Sequence, residues 1–191
     1  MRLLTLKIDE PLPGQVLPQM IASQGPVEAA RRYRSVAVTS LRQLKGLADA
    51  RIRLLAKPED AHEAIRFWLL PRLSEKWQAT DGVFRSSGWE IDFGGSVEGF
   101  TVEASGEILC PYLGCRWVHA ALLGLGRTVS KVIGPATNGG EYFSAKSLDD
   151  TEPLPERILP ALNVIREDAD WQQGLDSALG PALKKAWEEE A

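Results

Sequence analysis

The sequence is poor in cysteine and histidine, with two of each among 191 residues. No serine elbow motif accompanies the two histidines, so a Ser-His-Asp hydrolase has no support. His119 reads as a partly buried helix residue and His62 as a solvent-facing one. The cysteines lie close together in Cys110-Pro111-Tyr112-Leu113-Gly114-Cys115. That spacing matches no common zinc pattern, and no second Cys or His pair could complete four ligands. Free or packed thiols and no bound zinc are expected, in a reducing compartment. Long apolar runs are also missing; none reaches the roughly 18 to 20 residues that span a bilayer. The strand-like MRLLTLKI at the start carries no cleavage-site pattern, and the reading is cytoplasmic, with no membrane partner. Net charge is small, −4, and the one dense basic run is Arg31-Arg32-Tyr33-Arg34. A broad electrostatic grip on nucleic acid is excluded, and the run reads as a solvated helix face.

What is present describes an ordinary globular chain, 44% hydrophobic, long enough for one domain over residues 1–191 with a sizeable core. Residues 2–8 and 50–56 read as buried strands. Between them, residues 9–20 hold three prolines and a glycine and read as a loop. A helix follows Pro26, with Ala30, Tyr33, Ala37, Leu41 and Leu44 inward. A second helix starts at Pro58-Glu59-Asp60, and Pro71 should end or kink it. Residues 72–98 are harder to read; Trp89–Phe93 suggests a short strand, and Trp77 and Trp89 are candidates to line a groove. Residues 99–104 suggest another strand. A helix over 114–125 precedes a strand over 128–133, a glycine loop and a strand over 141–145. Residues 149–160 read as loop and 161–165 as a last strand. A terminal helix covers about 168–189, kinked or restarted at Gly180-Pro181. Strands alternating with helices predict an α/β fold, a three-layer α/β/α sandwich with a mostly parallel central sheet. Strands 2–8, 51–56, 129–133 and the segment before Pro111 should be neighbours.

Ligands bind such sheets beyond the carboxyl ends of the strands. Three loops are expected there: 9–20, 107–114 and 134–140. The first contains Pro11-Leu12-Pro13-Gly14, the second Leu109-Cys110-Pro111, the third Gly134-Pro135-Ala136-Thr137-Asn138-Gly139-Gly140. In this order they resemble the motifs of a bacterial glycosyltransferase-A-like group within the nucleotide-diphospho-sugar transferase superfamily. The likeness covers about residues 3–175 and is weakest over 72–105. The resemblance implies a cleft for a nucleotide or nucleotide sugar built from Pro13, Gly14, Pro111, Asn138, Gly139 and Gly140. It also implies a divalent metal held by aspartates, and lysines and arginines in the first loop.

This chain departs from that pattern. Leu109 and Asn138 stand where the family has aspartates, and Leu17 and Gln19 where it has cations. A looser C-terminal motif keeps Asp170 but has Arg166 for an acid. Leucine offers no oxygen to a hard cation, and asparagine offers one neutral oxygen. The expectation is a divergent, catalytically impaired member with a remnant cleft, no catalytic residue, no metal ligand and no cofactor. One alternative is an active glycosyl- or nucleotidyltransferase using Arg166 or Lys131 for charge stabilisation, with magnesium or manganese as cofactor. The other is a structural or interaction protein using the C-terminal helix and the tryptophan-rich middle.

Overall fold

The computed structural model describes residues 1–47, 50–95, 98–148 and 154–190. Nine strands form one sheet: β1 (Arg2–Asp9), β2 (Ala50–Lys57), β3 (Gln78–Thr80), β4 (Val83–Ser86), β5 (Trp89–Asp92), β6 (Val102–Glu107), β7 (Lys131–Pro135), β8 (Glu141–Ser147) and β9 (Glu156–Ile158). Their order is β3-β4-β5-β2-β1-β6-β8-β7-β9. The sheet is mixed, not mostly parallel: β4 and β8 run against their neighbours. The cause lies in the connections. Two-residue turns such as Asp81-Gly82, with φ 52° and 74°, can only return the chain antiparallel. The tight link at 136–140 likewise folds β8 back between β6 and β7, so β7 does not touch β6 as expected.

The helices are α1 (Pro18–Gln24), α2 (Pro26–Gln43), α3 (His62–Leu73), α4 (Cys115–Leu122), α5 (Asp168–Asp176) and α6 (Gly180–Glu188). Helix α2 matches its predicted stripe, with Ala30, Tyr33, Ala37, Leu41 and Leu44 all buried. Helix α1 occupies part of what reads as loop in the sequence. Pro71 does not end α3, which runs on to Leu73; a proline near a helix end disturbs few carbonyls. The terminal helix is two helices, the second restarting at Gly180-Pro181. The last strand is 156–158 rather than 161–165, where only Leu162 forms a bridge, to Ala136. Of the predicted loop 149–160, residues 149–153 lie outside the described residues. Trp89 is buried in the core, 5% exposed, while reaching the wall of a small cavity beside Gly46 and Gly88. No described helix is long and apolar enough to cross a membrane.

Strand alternation divides the sheet sharply. One row of paired residues, Ile91, Ile52, Leu4, Ala104, Ala145 and Val132, crosses six strands on one face. All six join the main apolar cluster, together with inward residues of α2, α3 and α4. The next row, Asp92, Arg53, Thr5, Ser105 and Ser144, lies on the opposite face and is polar throughout. Arg53 and Asp92 are buried there as an ion pair, 3.2 Å apart, whereas Ser105 is exposed. Leu3, on the same face, is also buried, and Phe100, near the end of the β5–β6 crossover, sets its ring 5.4 Å from the Arg51 guanidinium.

The basic run 31–34 is not a solvated face. Arg31 stacks 3.6 Å over the Trp187 ring and donates to the Trp187 carbonyl at 3.0 Å. Arg32 pairs with Glu28 and Asp168. Arg34 pairs with Glu190 at 2.6 Å, and Arg72 binds the same carboxylate. These cations dock α5 and α6 onto α2, which spends the C-terminal helices on an internal contact.

Candidate functional site

Strands β1, β2, β5, β6, β7 and β9 share one direction, so their carboxyl ends meet at one edge of the sheet. All three predicted loops emerge there. The hairpin after β7 is a tight turn, in which the Ala136 N–H donates to the Gly140 carbonyl at 2.9 Å and the Gly139 N–H to the Ala136 carbonyl at 3.2 Å. Gly139 and Gly140 have φ of 95° and 78°, where other residues are strained. The turn is fastened to the segment before α5. The Asn138 amide donates to the Val164 carbonyl at 2.6 Å and to the Asp170 carboxylate at 3.1 Å. The Arg166 guanidinium donates to the Gly139 carbonyl at 2.9 Å. Asp170 also accepts the backbone N–H groups of Arg166 and Glu167 at 3.0 and 3.1 Å, capping α5.

The same segment holds the loop after β6. Its Ile165 N–H donates to the Leu109 carbonyl at 2.9 Å. Pro111 is buried, and Cys110 is fully buried. Burial pushes the Cys110 thiol up to about 12, which favours the neutral thiol at pH 7. Asn138, Gly139 and Gly140 thus meet the loop of Pro111 through residues 163–166. Pro13 and Gly14 are exposed at the end of β1, in a turn closed by the Gln15 N–H on the Leu12 carbonyl at 3.1 Å. Leu17 is buried, 5% exposed, and cannot present itself to a ligand. Lys131 begins β7 and is therefore at the opposite, amino end of the sheet.

Sequence reasoning named Arg166 and Asp170 at this edge but missed Glu107. Glu107 is the last residue of β6, paired in register with Lys7 of β1. Burial raises the Glu107 carboxyl above the usual range; the Leu109 N–H, Arg166 and Lys7 oppose that rise, and Asp9 adds to it. Asp9 is held through its backbone N–H, which donates to the Tyr33 hydroxyl at 2.7 Å. Burial, then Asp9, keeps that hydroxyl protonated. An acid closing a strand beside an expected acid position was a usable signal, but Glu107 lies two residues before Leu109 and outside the motif.

Next to this cluster, beyond the ends of β1, β2 and β5, is a cavity of about 800 Å³. Lys7, Leu55, Lys57, Glu59, His62 and Phe93 are among its lining residues. Its size suits a small organic ligand. It offers two ammonium groups, one carboxylate, an imidazole and apolar walls. Among the described residues no group of three or more His, Cys, Asp or Glu could hold a metal ion.

Comparison with solved structures gives this arrangement its class. A provisionally assigned nucleotide-diphospho-sugar transferase from Desulfovibrio desulfuricans G20 is similar over 99% of this chain and 97% of its own, with a TM-score of 0.70 at 18% identity. Rv0371c from Mycobacterium tuberculosis H37Rv is similar over 92% of this chain and 98% of its own, with a TM-score of 0.50 at 11% identity. No protein-family model matches the sequence, and no curated protein matches it at a significant level. The chain has the fold of the nucleotide-diphospho-sugar transferases.

Proposed function

We propose that the protein is a divergent, catalytically impaired member of the nucleotide-diphospho-sugar transferase superfamily that keeps a remnant cleft for a nucleotide or nucleotide sugar. Pro13, Gly14, Pro111, Asn138, Gly139 and Gly140 form the walls of that cleft in this reading. The observation that carries it is the use made of Asn138. Both contacts of its amide are donations, to a carbonyl and to a carboxylate. An aspartate cannot donate at neutral pH, so this position serves as a staple rather than as a metal ligand. Leu109 offers a backbone carbonyl already taken by Ile165. Lys7 and Lys57 remain to meet phosphate charge, and Phe93 and Leu55 to meet a base. Neither cysteine is in a disulfide, which fits a reducing compartment, and we place the protein in the cytoplasm.

A second reading draws on Glu107 and Asp9. Two carboxylates with substrate phosphates can suffice for magnesium, and Arg166 and Lys7 stand near them electrostatically. In that reading the chain is an active transferase with a displaced metal site. Titration calorimetry with nucleoside-diphosphate sugars, with and without manganese or magnesium, separates the two. The impaired reading expects no improvement by metal. Metal-dependent affinity tighter than about 10 μM, roughly −7 kcal/mol, would overturn it, and loss of that effect in Glu107→Gln would establish the second.

A further inference from the structure

The other large cavity lies at the opposite, amino end of the sheet and belongs to neither reading above. It has a volume of about 690 Å³ and is lined by residues from the ends of α2 and α3 and from the β3–β4–β5 hairpins. Lys45, Lys76 and Arg85 supply three cations against the single carboxylate of Glu75. On a chain of net charge −4 this is a local reversal of sign. Ser74, Ser86 and Ser87 add hydroxyl groups, and Trp77 adds a flat apolar wall.

Several of these groups are held in place by the fold. The Gly46 N–H donates to the Gly88 carbonyl at 2.8 Å, tying the α2–β2 link to the β4–β5 turn. Gly88, at φ 79°, leaves the room that the Lys45 stem fills; a Cβ there would meet that stem at 3.2 Å. Lys45 lines the cavity together with Ser86 and Ser87. The Trp77 indole N–H donates to the Leu70 and Ser74 carbonyls at 3.0 and 3.1 Å, which fixes the ring. The same two bonds give partners to carbonyls at the end of α3. The Ser74 and Ser86 hydroxyls meet at 2.5 Å across the wall. Arg85 has only a partial neutraliser: Glu90 is 3.5 Å away and is shared with Arg51 at 2.8 Å.

We propose that this cavity is a binding site for a small phosphate monoester carrying a planar group. The phosphate takes Lys45, Lys76 and Arg85, with Ser86 and Ser87 as neutral donors. The planar group lies against Trp77. The site is on the far side of the sheet from the carboxyl-end loops, so its occupancy is independent of the proposed transferase-like cleft.

The test uses phenyl phosphate and inorganic phosphate on the full chain, read by amide chemical shifts and tryptophan fluorescence. Phenyl phosphate is expected to shift residues 74–78 and 85–88 and to bind more tightly than inorganic phosphate. The double variant Lys45→Glu/Lys76→Glu should weaken it about tenfold, as expected for two exposed charge contacts each reversed in sign. Circular dichroism of the variant should be unchanged; Lys45→Gln/Lys76→Gln, which only removes charge, gives a second and smaller step in the same direction. Shifts centred on Lys7, Lys57 and Phe93 would overturn the proposal. So would equal affinity for the two probes, or no response at about 10 mM, which would fill even a millimolar site.

Discussion

Two side chains at the carboxyl edge show how far a single residue can be interpreted. Asn138 is visible in the sequence only as a departure from an expected aspartate. What it does could not be read there, because its acceptors, Val164 and Asp170, are 26 and 32 residues away. The contacts make a sharp prediction. Asn138→Asp should destabilise more than Asn138→Ala, by about 1–2 kcal/mol, since the near-isosteric aspartate faces two acceptors while alanine merely withdraws. Urea midpoints at pH 7 measure this, and an Asp variant as stable as wild type would remove the staple from the account. Glu107 supplies the second case. Its carboxyl titrates above the usual range in the fold, chiefly through burial, so the folded chain holds the proton more firmly than the unfolded one. Stability from this group is greatest below the unfolded value and falls as pH rises through the folded one. Glu107→Gln should therefore be more stable than wild type at pH 7, with the gap closing toward pH 4. Denaturant melts of both proteins across that range show whether the difference has this sign.

Among the elements, α2 and β1 were legible because each satisfies one period over many residues, helical in one case and apolar and continuous in the other. Strand β5 and the restart at Gly180-Pro181 were also legible, but β3 and β4 were not. Strands as short as β3 and β4 carry too few positions to define a period. The basic run on α2 was misread because charge alone does not show what it faces. Its partners, Trp187 and Glu190, are more than 150 residues on. The docking can be tested at Glu190, whose side chain is only 3% exposed between Arg34 and Arg72. Glu190→Ala leaves two arginines without their shared partner and should cost about 2 kcal/mol, read as a thermal midpoint lower by about 4–8 °C for a chain of this size. Glu188→Ala, at the exposed last residue of α6, should leave the midpoint unchanged. Equal midpoints for the two variants would mean that α6 is held by its apolar face alone.

For the molecule as a whole, one sheet takes strands from Arg2 to Ile158, and one apolar cluster runs from α1 to α6. The expected single domain should then unfold in a single cooperative transition. Calorimetric and van't Hoff enthalpies should agree, and two resolved heat peaks would divide the chain instead. The sequence made the fold class accessible through its three loops, since their order along the chain survives even where their chemistry does not. It could not disclose that β8 inserts antiparallel between β6 and β7, because the length of a link says little until the strands it joins are known. Asp92 and Arg53 on the second face are both buried, and each charge is tolerated there because the other lies 3.2 Å away.

The Asn138 staple also bears on the order in which changes could be made at this edge. Installing a carboxylate at position 138 to recruit a metal would fail as a first step, because the new charge would meet Asp170 before it met any cation. Releasing Asp170 first would uncap α5 and free the amides of Arg166 and Glu167. The two substitutions are therefore strongly non-additive, and each single step crosses a less stable intermediate. A route toward metal-dependent chemistry at this edge would have to begin elsewhere, with a stabilising change that lets the chain tolerate the loss of one partner before the other is altered.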